Sequence, residues 1–159
     1  MFKHILIPTD GSPRSARAIK AGLRLALETG ARITGYYAAD PVEREAASKH
    51  LAPLARAARA AGVPFDTVTD TPPTAYEGIV RLARRLKCEA IVMASHGRGG
   101  LASALLGSVT QEVLARSKLP VMVTRLIRRA TICNGSGNNP TTLNTISLSA
   151  RLCHFKFFG

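Results

Sequence analysis

Short, unbroken apolar runs alternate along the chain with longer stretches in which apolar residues return every three or four positions. The first run, residues 4–7 (His4-Ile5-Leu6-Ile7), has the pattern of a strand buried on both faces. Asp10-Gly11-Ser12-Pro13 breaks it and opens a helix, with Ser12 in the N-cap position and Pro13 first inside. Ile19, Leu23, Ala26 and Leu27 make that helix's core face, and Gly30 ends it. Residues 33–39 predict a second strand, closed by Asp40-Pro41. An alanine-rich helix follows over about 42–61, with Leu51, Leu54, Ala55 and Ala58 on one face and Gly62 as its stop. Residues 65–69 predict a weaker strand, and Pro64 and Asp66 suit the edge of a sheet better than its centre. Thr74 and Glu77 have capping-box spacing before a helix whose inner face is Ile79, Leu82, Ala83 and Leu86. Residues 90–94 predict another buried strand. After a glycine-rich loop, a helix over about 109–117 leads to a last strand at 120–124. Five strands alternating with four helices, joined by right-handed crossovers, make an α/β fold: an open parallel sheet with helices on both faces.

The rhythm stops after residue 127. Residues 128–159 are rich in Asn, Gly, Ser and Thr and lack a periodic apolar face. They predict a polar, basic tail, native or added, outside a domain of residues 1–127. The length of 159 residues suits a single core, and 46% hydrophobic with 20% charged residues is a globular composition. No apolar run approaches the roughly 20 residues that span a bilayer. The opening segment is too short, and too soon interrupted by Pro8, for a signal peptide. The expectation is a cytoplasmic protein without a membrane partner. Cys88, Cys133 and Cys153 are widely spaced and do not cluster with histidines, which predicts free thiols and no zinc site.

The net charge is +12, and the tail holds Arg128, Arg129, Arg151 and Lys156 with no acid. Such a balance attracts anions, nucleotides among them, and nucleic acid non-specifically; it is equally that of a solvated arginine-rich surface. Only 5% of residues are aromatic, and none interleaves with the basic ones, so a single-strand-binding face is not expected.

The candidate chemistry lies in Ala94-Ser95-His96-Gly97-Arg98-Gly99-Gly100 and in Gly107-Ser108. Glycines after a buried strand let the backbone turn sharply and approach a ligand. Gly107-Ser108 sits at a helix start, where unpaired N–H groups and the helix dipole favour an anion, and a side chain at 107 would occupy the anion's space. The other reading is local: Ser108 and Gln111 have capping-box spacing, by which Ser108 serves only as a cap. No Walker A spacing is present. In open α/β sheets ligands bind beyond the carboxyl ends of the strands, where strand order reverses. With the first and fourth strands as neighbours, Thr9-Asp10 and Met93-Ala94-Ser95 would flank one crevice. Asp10 would then either accept hydrogen bonds from a ribose or an adenine amine, or cap the turn before the first helix. Arg98 either reaches a phosphate or is solvated, and His96 has no evident acid or nucleophile beside it.

These motifs together resemble the universal stress protein family. Ile5-Leu6-Ile7-Pro8-Thr9-Asp10-Gly11-Ser12 is similar to that family's opening. Residues 91–98 and 105–110 are similar to its nucleotide loop, and Pro120-Val121-Met122-Val123 to its last strand. The resemblance runs to about Arg125. It implies a Rossmann-like sheet of order 3-2-1-4-5 and a homodimer formed through the last strand, around Val121 and Val123. The family's ATP-binding branch carries Gly-x2-Gly-x9-Gly-Ser/Thr, which here places Gly97, Gly107 and Ser108, with Ala94 in place of the first glycine. In a left-handed backbone that β-carbon would cost about 1–2 kcal/mol; in an extended one only its methyl would matter. Carried over by motif, Pro8, Thr9 and Asp10 would lie near the adenosine and Ala38 beside the base. Met93, Ala94, Gly97 and Arg98 would line the ribose and phosphate side, and Gly107, Ser108 and Val109 the phosphates. The resemblance implies ATP or a related adenine nucleotide, with or without Mg2+, bound by a dimeric stress-response sensor or regulator that is no enzyme beyond slow ATP hydrolysis. The alternative is a dimeric interaction module of the same fold that binds no nucleotide.

Overall fold

The computed structural model describes residues 1–42, 47–96 and 106–125. In chain order the elements are β1 (His4–Pro8), α1 (Ser15–Thr29), β2 (Arg32–Ala38), α2 (Ala47–Ala60), β3 (Phe65–Asp70), α3 (Ala75–Arg85), β4 (Ala90–Ala94), α4 (Ser108–Arg116) and β5 (Val121–Thr124). The strands form one parallel sheet in the order β3-β2-β1-β4-β5, a Rossmann-like arrangement. β1 is the central strand, and all five of its residues are buried. Successive side chains of a strand point to opposite faces. Ile5 and Ile7 accordingly pack with Ile19 and Leu23 of α1 and Leu54 of α2. Leu6 lies in the opposite layer with Ile79 and Leu82 of α3 and Val113 of α4. Burial on both faces is why the runs in β1 and β4 are apolar without alternation.

α1 lies close on the sheet because Gly22 faces β1; a β-carbon there would run into the Ile7 side chain. The buried stripe of α1 is Ser15, Ala18, Ile19, Gly22, Leu23 and Ala26. Leu27, expected on that face, is 58% exposed, since at 100° per residue it falls off a stripe centred on small residues. The helix starts later than Ser12-Pro13 predicts. Asp10 Oδ1 accepts from the Ser12 N–H at 3.0 Å, and the Ser12 carbonyl accepts from Ser15 N–H and Oγ at 3.1 and 2.7 Å. These bonds wind residues 10–14 into a turn that precedes regular helix. Gly30 ends α1 as expected, with φ 69°.

The described part of α2 is Ala47–Ala60; Val42, where the helix was expected to begin, is 92% exposed, and residues 43–46 lie outside the described residues. β3 takes the edge position its sequence predicts. Thr74 has the extended backbone of an N-cap residue, but its side chain makes no capping bond; Glu77 accepts instead from the Tyr76 hydroxyl at 3.1 Å. Thr74 and Glu77 are both exposed, so water competes for the bonds of a capping box. Cys88 is buried, and desolvation pushes its thiol up to about 11, which makes it a core residue with an inert thiol. Cys133 and Cys153, the tail at 128–159, and Leu126 and Ile127 lie outside the described residues.

At the amino ends of the strands His4 is buried, with Nε2 2.8 Å from Thr34 Oγ1 and Nδ1 3.1 Å from the Leu86 carbonyl. Desolvation, and then the charge of Arg32, whose Nη2 is 3.2 Å from Nδ1, hold its pKa below the ordinary value. The unfolded chain therefore binds a proton at His4 before the folded one does. Its contribution to stability is complete above about pH 6.5 and is lost as pH falls through the lowered folded value. Thermal melts should show stability declining from about pH 7 to pH 5, and His4→Gln should remove part of that slope. An identical slope in the variant would assign the decline to other groups.

Candidate functional site

Beyond the carboxyl ends of the strands lies a cleft of about 580 Å³. It opens where strand order reverses: from β1 the chain crosses to β2 and β3 on one side, then to β4 and β5 on the other. The space beyond the carboxyl ends of β1 and β4 at such a reversal is the usual ligand position of such sheets. Nine of the eleven residues expected from sequence line this cleft: Pro8, Thr9 and Asp10 after β1, Ala38 at the end of β2, Met93 and Ala94 of β4, and Gly107, Ser108 and Val109 at the start of α4. The other two, Gly97 and Arg98, lie outside the described residues.

Their roles divide. Thr9 turns its side chain inward: Oγ1 donates to Ser15 Oγ at 2.9 Å and accepts from the Gly11 N–H at 3.1 Å. It holds the tight turn, at which Gly11 takes φ +73°. Asp10 has one oxygen on the Ser12 N–H, so it serves the turn, and the residue also lines the cleft. The capping reading of Asp10 from sequence is met by that bond.

Ala94 is the last residue of β4, paired with Thr124. Among the described residues the one non-glycine with positive φ is Lys87, so Ala94 carries no left-handed strain. Its methyl matters only as part of the cleft wall.

The start of α4 corrects two expectations. Gly107 is the N-cap, with φ −62° and ψ 151°, and Ser108 is the first helical residue, so Ser108 is not a cap. Gln111 donates its side-chain amide to the Leu106 carbonyl at 2.7 Å, whereas the box would need it to accept from the Ser108 N–H. Ser108 is exposed and lines the cleft. Nor would a side chain at 107 point first at an anion. A β-carbon there would sit 3.3 Å from the Ser95 carbonyl oxygen and 3.4 Å from His96 Cα. Gly107 permits the helix start to press against the end of β4, and its N–H donates to the Ser95 carbonyl at 2.8 Å.

Thr110, not singled out by sequence, completes that junction. It is buried, and its hydroxyl lies 3.1 Å from the Ala94 carbonyl oxygen and 3.3 Å from that of Ser95. The first turn of α4, whose amides have no intrahelical acceptor, thereby lines the cleft. Their array and the dipole behind them suit an anion. Tyr36, Tyr37, Ala75 and Ile79 also line the cleft without having been expected there. Their apolar character reads as core, and nothing in the local pattern separates a cleft wall from a core face. His96 lines the cleft with Nδ1 3.2 Å from Ser95 Oγ. Among the described residues no group of three or more His, Cys, Asp or Glu comes together.

The universal stress protein family model matches residues 1–125. The chain belongs to the universal stress protein family. A universal stress protein of Methanocaldococcus jannaschii is 32% identical over 142 residues, covering 79% of this chain and 83% of that one. One from Thermus aquaticus is 33% identical over 137 residues, covering 79% of this chain and all of its relative. Among solved structures, a universal stress protein in complex with cAMP is 26% identical with a TM-score of 0.68, covering 78% of this chain and 97% of that one. The family resemblance read from the motifs and the sheet order it implied are thus both met. Among the described residues, no helix is long and apolar enough to cross a membrane.

The Thr110 junction carries its own test. Thr110→Val keeps the branched shape and removes the hydroxyl, and should lower stability by about 1–2 kcal/mol in urea denaturation. Thr110→Ser, which keeps the hydroxyl, should lose less. Equal losses in the two variants would trace the effect to packing rather than to the bond.

Proposed function

We propose that this universal stress protein binds an adenine nucleotide in the cleft and acts as a dimeric sensor or regulator in the stress response, with ATP hydrolysis slow at most. The observation that carries the reading is the meeting, in one cleft at the strand-order reversal, of the Asp10 carboxylate and the amino terminus of α4. A carboxylate accepts from sugar hydroxyls or a ring amine, and helix amides donate to phosphate, so the two groups match the two ends of a nucleotide. The relative in complex with cAMP supports an adenine ligand of this kind. Thr9, Pro8 and Ala38 would border the nucleoside, Met93, Ala94, Gly97 and Arg98 the ribose and phosphate, and Gly107, Ser108 and Val109 the phosphate. ATP is the ligand proposed, with Mg2+ held through its phosphates.

The alternative, an interaction module that binds no nucleotide, is favoured by Ala94 in the position of a family glycine. Its extended backbone removes the conformational objection. The dimer would form along the outer edge of β5, a four-residue edge strand whose unpaired backbone groups invite a partner. We place the protein in the cytoplasm, with residues 1–127 as its domain and 128–159 as a tail.

Titration calorimetry with AMP, ATP and adenosine tests the nucleotide. Because Ser108 is the first helical residue and no cap, Ser108→Asp leaves the fold intact and complements the helix dipole, while placing a negative charge where the phosphate would lie. AMP and ATP should bind at least about tenfold more weakly to it, and adenosine should change less. A folded Ser108→Asp variant that binds AMP like the parent would move the phosphate elsewhere. Sedimentation equilibrium should give twice the chain mass of 16.9 kDa, and a mass of one chain would remove the dimer.

A further inference from the structure

The wall of the cleft formed by α3 is held from beneath by three polar side chains on three elements. Tyr36 of β2 is 1% exposed, and its phenol donates a short hydrogen bond to Asp70 Oδ1 at the end of β3. The other carboxylate oxygen accepts from Arg81 Nη2 of α3 at 2.8 Å. A β-carbon at Gly78 would collide with the Tyr36 hydroxyl and lie 2.8 Å from Pro72 Cγ, so the phenol occupies the groove that Gly78 leaves in α3. Ala75 and Ile79, on the same stretch of helix as Gly78, line the cleft, as does Ala38 at the end of β2. Burial, then the bond to Asp70 and its charge, push the phenol above its ordinary range, so it remains a donor near neutral pH.

We propose that Tyr36, Asp70 and Arg81 form a positioning latch that sets the gap between α3 and the end of β2, and with it the base that the cleft admits. This rests on the nucleotide-binding reading above. A planar base needs about 7 Å between the atoms of its two walls, twice an ordinary carbon–carbon contact. A shift of α3 by about 1 Å forfeits much of the contact on one side of the ring. Arg81 and Asp70 alone are a weak tether, because their side chains are 55% and 30% exposed. The part-buried bond from Tyr36, whose ring lies in the core, is the more rigid arm. It ties β2, which carries Ala38, to the carboxylate that holds α3, and the glycine at 78 gives it room.

The test uses Tyr36→Phe, which keeps the ring and removes only the hydroxyl, and Asp70→Asn, which keeps an acceptor for the phenol. Calorimetry with adenosine, AMP and cytidine is read beside hydrogen exchange of the α3 amides. In Tyr36→Phe, adenosine and AMP should weaken together by about five- to tenfold, leaving the increment due to phosphate unchanged. Preference for adenosine over cytidine should narrow, and α3 should exchange faster. Asp70→Asn should show a smaller loss of the same kind. Adenosine affinity and base preference equal to the parent's would overturn the latch, whatever happens to exchange, and would leave the nucleotide reading standing. Failure of the parent itself to bind adenosine or AMP would overturn that reading and the base-selecting role together. Unchanged α3 exchange in Tyr36→Phe would then remove the latch as well.

Discussion

Burial of β1 on both faces and along both edges is the constraint on which the rest of this molecule depends. A central parallel strand must find a neighbour on each side, and here β2 and β4 supply them. Its side chains must also be covered above and below, which α1 and α2 do on one face and α3 and α4 on the other. Once β1 is so enclosed, the chain leaving it has to go one way and return to the other side. The cleft is the space left by that reversal. The carboxylate of Asp10 stands at its edge because Asp10 begins the turn that carries the chain off β1 and into α1.

The two further walls of the cleft are fixed by polar contacts rather than by more apolar packing. On the α4 side, the Ala94 and Ser95 carbonyls at the end of β4 are met by the Gly107 N–H and the Thr110 hydroxyl, and Gly107 lets the backbones close on each other. On the α3 side, the Tyr36 phenol and the Asp70 carboxylate span β2, β3 and α3. Directional bonds hold a helix at a defined distance, whereas apolar contact tolerates sliding. A site that measures a ligand gains from walls of the first kind.

Most of the architecture was legible in the chain. The uninterrupted apolar runs of β1 and β4 could only belong to strands covered on both faces, the Pro and Asp of β3 marked an edge, and Gly30 marked a helix end. Legibility failed where one local bond competes with another of similar strength. Ser12, Thr74 and Ser108 each have the residue type and spacing of a cap. The first accepts from the Ser15 N–H at 3.4 Å as a cap does, but within the turn that precedes regular helix; the second makes no side-chain capping bond, and the third falls inside its helix. A hydroxyl can serve any of several nearby amides, and the tertiary position of the helix decides among them.

By itself, then, the sequence determined the order and kind of the elements, the burial of the central strand and the segments that reach the cleft. Hydrophobic period and turn residues act over a few positions and need no partner far along the chain. The tertiary structure alone decided which side chains of those segments face the cleft. It turned Thr9 inward and Ser108 outward, left Ala94 extended, and recruited Thr110, Tyr36, Ala75 and Ile79 as walls. Those outcomes depend on contacts between residues far apart in sequence, such as Thr110 with Ala94 and Tyr36 with Asp70, and no local pattern encodes the distance at which two packed elements come to rest.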